Sequence, residues 1–124
     1  MRRAALLMWF GLFAAPAAWA VQHVAGIELQ YAQCHDSTPG PAYRIHVDAW
    51  TLAVTIAAAA VAVLGGLASV AAWRATREAD DDDAPPAGRI HFLSVIGMTI
   101  TPLFLAIILM SGLGEVFLPS CLQS

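Results

Sequence analysis

The sequence predicts an all-α membrane protein with three transmembrane helices, or two if its amino-terminal segment is a cleaved signal peptide. Three observations carry this expectation. Across 124 residues, 59% are hydrophobic and only 12% are charged, with a mean hydropathy of +0.67, whereas a soluble domain carries about 25% charged residues. The run from Ala49 to Trp73 contains no charge, lying between Asp48 and Arg74. At about 1.5 Å rise per residue it reaches roughly 37 Å as a helix, enough to cross a hydrocarbon core about 30 Å thick. Two further apolar runs, one at each end of the chain, begin next to arginines.

The first segment, 1–34, opens with Arg2 and Arg3, continues through the apolar Ala4 to Ala15 and reaches Ala18-Trp19-Ala20. A basic start, an apolar stretch and a small-x-small site fit a secretory signal peptide. The same residues fit an uncleaved helix that passes through Pro16 as a kink and continues by Val21, Val24, Ile27 and Leu29 to Cys34. Neighbouring helices can satisfy the backbone groups that a membrane proline frees. His23, Ile27, Gln30 and Cys34 then share one helical face. Glu28 shares a face with Tyr31 and His35, close to the end of a span that starts near Ala4, and is expected to make an ordinary interfacial hydrogen bond.

Residues 35–48 contain Pro39, Gly40 and Pro41 with several polar groups, and are expected to form a loop. The central span, 49–73, is rich in small residues. Ala58, Ala62 and Gly66 recur at intervals of four, as do Gly65 and Ser69. This spacing lets another helix backbone approach closely, so these five positions are the expected helix-packing residues. Residues 74–89 form an ionised connector with Asp80 to Asp83 followed by Pro85 and Pro86. Such a run repels itself and stays solvated, and it lacks the alternating aspartate spacing that wraps a cation. The third span, 90–113, contains Pro102, which removes one hydrogen bond and crowds the Met98 carbonyl. Thr99 and Thr101 stand beside it as possible donors to freed carbonyls. The tail, 114–124, carries Glu115, Pro119 and Cys121.

The charges orient these spans. There is no lysine, and Arg2, Arg3, Arg74, Arg77 and Arg89 all flank one side of a chain that crosses three times. Basic residues are retained on the cytoplasmic side, which places the amino terminus and the 74–89 loop inside and the 35–48 loop and the tail in the periplasm. Cys34 and Cys121 then share an oxidising compartment, and a disulfide is the simplest consequence. Free or intermolecular thiols and metal ligation are the alternatives. Cys34, His35, His46 and Cys121 would suit copper or zinc by ligand type, but they are scattered, and no resident cofactor is expected. No basic patch is interleaved with exposed aromatics, so nucleic acid is not an expected partner.

With the segments in order, the chain resembles a family of small three-helix bacterial inner-membrane proteins. The matching residues are Pro16-Ala17-Ala18-Trp19, Gln30-Tyr31 and Cys34 in the first helix, and Gly65-Gly66 and Trp73-Arg74 in the second. In the third they are Arg89-Ile90-His91-Phe92 and Pro119-Ser120-Cys121. The residue between Pro119 and Cys121 departs from the family pattern, in which the two are often adjacent, and this loosens the geometric argument for the bridge. The resemblance implies that the first helix is retained, because its pattern runs through the supposed cleavage site. Some family members are encoded beside aerobic cytochrome oxidase and copper-delivery genes. That implies an accessory role toward an oxidase or its assembly machinery, with the lipid bilayer as solvent.

Two functions are therefore expected to compete. One is a non-enzymatic accessory or assembly partner of a membrane complex, multi-pass in the inner membrane. The other is a periplasm-facing copper or thiol carrier using Cys34, His35 and Cys121. No nucleophile with a base, paired carboxylates or phosphate loop points to an enzyme.

Overall fold

A computed structural model describes residues 2–35, 41–77 and 87–117 of the chain, excluding the side chains at 30, 32–35, 41–48 and 116. Its elements are three helices, α1 (Arg2–His35), α2 (Pro41–Ala75) and α3 (Ala87–Phe117). Each contains a stretch long and apolar enough to span a membrane, at Arg2–Leu29, Ala49–Ala75 and Ala87–Glu115. The protein is therefore an all-helical, multi-pass membrane protein. Helix is the expected solution in lipid, because every backbone donor and acceptor must be satisfied without water.

Two boundaries differ from the expectation. Helix α2 begins at Pro41, so the second half of the expected 35–48 loop is helical. Proline is tolerated in a first helical turn, where its missing N–H has no intrahelical partner to lose. Helix α3 extends from Ala87 to Phe117, several residues beyond 90–113 at both ends, and α1 and α3 continue as helices through Pro16 and Pro102. Thr101 Oγ1 donates to Gly97 O at 2.8 Å and Thr99 Oγ1 to Val95 O at 2.9 Å. The threonines thus bond carbonyls one turn back on their own helix, and not the Met98 carbonyl opposite the proline ring.

Successive helices run antiparallel. The starts of α1 and α3 meet the end of α2 at a lower end, where Ala4, Met8, Ala72 and Ile90 pack together. This end carries Arg2, Arg3, Arg74, Arg77 and Arg89. The Arg89 guanidinium lies 5.8 Å from the Trp9 ring centre and that of Arg77 6.0 Å from the Trp73 ring centre. His91 stacks on Trp73, with ring centres 6.1 Å apart, and accepts or donates a 3.3 Å hydrogen bond with Thr76 Oγ1. The upper end carries the end of α1, the start of α2 and the end of α3.

The seams between helices are lined by small side chains. On α2 the buried positions include Thr51, Thr55, Ala58, Ala62, Gly65, Ser69 and Ala72, alternating steps of four and three, and Thr76 continues the series just past the helix end. On α1 the corresponding row is Ala4, Met8, Gly11, Ala15, Ala18 and Gln22. A repeat of 3.5 residues keeps one narrow stripe facing its neighbours along the whole bundle. At the centre, Ala15, Ala18, Ala58, Ala62 and Ile108 form a core against Trp19, Phe104 and Leu105. Large apolar side chains point the other way: Phe13, Val21, Leu67, Leu103 and Met110 are all more than half exposed. Lipid tails are as apolar as leucine, so such side chains gain little by turning inward, whereas close backbone approach gains dispersion contacts.

The tightest point is the meeting of Gly11, Ser69 and Gly97. A methyl group built on Gly11 would lie 2.8 Å from Ser69 N and 2.9 Å from Gly65 O, besides colliding with Ser69 Oγ. One built on Gly97 would collide with the same hydroxyl and stand 3.3 Å from Gly11 O. Ser69 Oγ is fully buried with no hydrogen-bond partner. Ser69→Ala is therefore expected to leave stability unchanged or to raise it by up to about 1 kcal/mol, because it removes an unpaired buried group without opening a large cavity. Reversible unfolding in mixed micelles checks this, and a loss of stability would show that the hydroxyl has a partner.

Candidate functional site

The polar chemistry inside the spans converges on Gln22. Its side chain is 2% exposed, next to His23 in a largely apolar part of α1. The amide nitrogen donates to Thr55 Oγ1 of α2 at 3.1 Å and to the Ile108 carbonyl of α3 at 3.0 Å. One side chain thus ties all three helices together. The amide orientation follows from chemistry, since a backbone carbonyl only accepts and must face the NH2 group. The opposite atom, Gln22 Oε1, is buried with no hydrogen-bond partner.

Elsewhere some buried hydroxyls bond a carbonyl one turn back on their own helix: Ser94 Oγ donates to Ile90 O at 2.6 Å and Thr101 Oγ1 to Gly97 O at 2.8 Å. They relieve their own desolvation and add little between helices. Gln22 differs because its longer side chain crosses the seam.

One turn above Gln22, Gly26 makes room for a carboxylate. A methyl group built there would strike Glu115 Oε1 and lie 3.1 Å from its Cδ and 3.2 Å from Oε2. Glu115 is half-buried at the top of α3, within electrostatic reach of His23. His23 in turn stacks on Trp19, which packs against Phe104 of α3. Gly112, one turn below Glu115, faces Thr55 closely enough that an added methyl group would stand 2.9 Å from Thr55 Cβ. The upper half of the bundle therefore holds an amide, a hydroxyl, a carboxylate and an imidazole within about two turns, the carboxylate set against Gly26 and the hydroxyl against Gly112.

Beside this node a groove of about 570 Å³ opens between α1 and α2. It extends from Phe10 and Val61 up to Gln22 and Val54, and Gln22 contributes the polar side chain among the apolar walls.

The residues singled out from sequence fall in different places. Ala58 and Ala62 are buried in the central core, Gly65 stands against Ala14 of α1, Gly66 against Thr101 of α3, and Ser69 between both neighbours. Cys34 and His35 lie in the last turn of α1 and His46 near the start of α2, but their side chains are outside the described part, as is all of Cys121. The disulfide and the metal-ligand expectations thus lie outside the described residues. Among the described residues, no three His, Cys, Asp or Glu side chains come together as a metal site. Glu28 is exposed at the upper end.

Sequence reading missed Gln22, Thr55, Gly112 and Glu115. The face through His23, Ile27 and Gln30 spoke for continuation of the first helix, and α1 does run on to His35, but His23 and Ile27 are exposed and the buried stripe runs one residue earlier through Ala18, Gln22 and Gly26. The available signal was the repeat of small and hydroxyl residues from Thr51 to Thr76, which fixes the α2 stripe, and the lone amide at Gln22 within an apolar run. No family model matches this chain, and no curated protein or solved structure matches it either.

Proposed function

We propose that this protein is a non-enzymatic accessory or assembly partner of a membrane complex, acting through its membrane-facing surface. The observation that supports it most is the distribution of side-chain size. Small residues are spent on closing the bundle, and Phe92, Val95, Leu103, Ile107 and Met110 are turned outward along α3. A bundle arranged in this way has its contact surface on the outside, where both lipid and neighbouring helices reach it.

The basic lower end supports a cytoplasmic placement of that end under the positive-inside rule, and so an inner-membrane location in a bacterium. The sequence resemblance favours a respiratory oxidase or its assembly machinery as the complex concerned. Photo-crosslinking side chains at Val95 and Leu103, both exposed on α3, test the reading in native membranes. Reproducible crosslinks to subunits of one complex are expected. Crosslinks to lipid alone at both positions would sink it.

A further inference from the structure

We propose that the lower end of the α1–α3 seam binds an anionic phospholipid, its phosphate on Arg89 and Arg2 and an acyl chain along the exposed stripe of α1 that begins there. The inference does not rest on the accessory role, which concerns the middle of α3.

Helical spacing sets the stripe. Arg2, Leu6, Trp9 and Phe13 follow one another at steps of four, three and four, so they share one face of α1, and all four are exposed. Phe13 stands eleven residues beyond Arg2, roughly 16 Å at about 1.5 Å per residue. The stripe thus passes from a cation at the end of the span to apolar rings within it. A phospholipid has the same order along its length, with charge at the membrane surface and hydrocarbon toward the centre.

Arg89 supplies the second cation, and its geometry turns the stripe into a site. It is exposed near the start of α3 and crosses to α1, where its guanidinium lies 5.8 Å from the Trp9 ring centre. Trp9 is in turn stacked on Phe13, with ring centres 5.6 Å apart and planes 1° from parallel. A guanidinium on an indole face keeps its N–H edge free, and that planar edge matches two phosphate oxygens at once. Ala4, Met8 and Ile90 pack between the two helix starts and hold them in place.

Charge complementarity decides the class of head group. Both acidic side chains among the described residues, Glu28 and Glu115, stand at the upper end, so neither neutralises Arg2 or Arg89. Basic side chains gathered where membrane helices end recognise anionic lipid heads. A zwitterionic head brings its own ammonium close to the guanidinium groups, which repel it. Asp80 to Asp83 of the connector, outside the described residues, are the rival partners for Arg89.

Native mass spectrometry of the full chain released from detergent, with dioleoylphosphatidylglycerol and dioleoylphosphatidylcholine as probes, tests the site. The two lipids share chains and phosphate and differ in head-group charge. Phosphatidylglycerol is expected to be retained roughly tenfold more strongly, of the order that two surface arginines supply against an anionic lipid. Arg89→Gln should remove most of that preference. Arg77→Gln deletes the same charge from the α2 side and should leave the preference in place. Trp9→Leu removes no charge and should lower it roughly threefold, the factor that a lost cation–π contact supplies. Arg89→Lys keeps the charge without the planar fork and stands in if Trp9→Leu does not fold. Equal retention of the two lipids by the unaltered protein would overturn the proposal. A preference that appears only in the fourfold variant Asp80→Asn, Asp81→Asn, Asp82→Asn, Asp83→Asn would do the same, since the connector would then occupy Arg89. So would equal losses from Arg89→Gln and Arg77→Gln, which would show attraction to total charge and no site, or a preference unmoved by Trp9→Leu.

Discussion

Gly11→Leu is expected to lower the stability of the bundle by about 3 kcal/mol or more, the largest effect of any single change considered. Its cause is backbone geometry. The first added carbon already meets Ser69 N at 2.8 Å and Gly65 O at 2.9 Å, and backbone atoms of a packed helix cannot step aside as a flexible side chain could. Helices α1 and α2 must separate, and the loss spreads to neighbouring contacts such as Ala14 on Gly65. Overpacking of this kind typically costs 1–3 kcal/mol and more where the surroundings are rigid. Gly114→Leu is the control, since nothing lies within 4 Å of a methyl group built there. It is expected to change stability by no more than about 0.5 kcal/mol, apart from the gain in helix propensity on replacing glycine. Unfolding by sodium dodecyl sulfate titration, followed by circular dichroism, checks both. Similar responses at the two positions would contradict the close seam at Gly11.

Gln22→Leu is expected to cost about 1–2 kcal/mol. It removes the hydrogen bonds to Thr55 Oγ1 and to Ile108 O, each worth roughly 0.6 to 2 kcal/mol between membrane helices. Some of that is recovered, because the orphan Gln22 Oε1 disappears with the amide. A double-mutant cycle with Thr55→Val isolates the pair, and a coupling energy of about 0.5–1 kcal/mol is expected from residues in direct contact. Strict additivity would mean that the amide does not bridge α1 and α2.

Much of the architecture is legible in the linear sequence. Ala49 to Trp73 is too long and too free of charge to be anything but a span, and the arginines at its end and beside the other two runs mark one end of the bundle. The start of α2 was less legible. Pro39 and Gly40 suggested a loop through residue 48, but Pro41 is compatible with a first helical turn, and the helix begins there.

The inward face was legible on α2, where Ala58, Ala62, Gly65 and Ser69 are buried, but hardly so on α1, and the reason is physical. In water an apolar stripe faces inward and a polar one outward, so hydrophobicity alternates with the helical period. In lipid that contrast vanishes, and the inward face is distinguished by small size instead. Ala15, Ala18, Ala62 and Ser69 are inside while Phe13, Val21, Leu67 and Leu103 are outside. The stripe through His23 and Ile27 carried as much apolar character as the buried one beside it.

By itself, then, the sequence determined the class, a count of two or three spans and the end at which the arginines gather, because those depend on length and charge measured against a bilayer. Only the tertiary structure decided that Gln22, a single amide among apolar neighbours, would meet Thr55 and Ile108, and that Glu115 would rest on Gly26. Those pairings join residues far apart in the chain, and they depend on how closely glycine and alanine let three backbones approach.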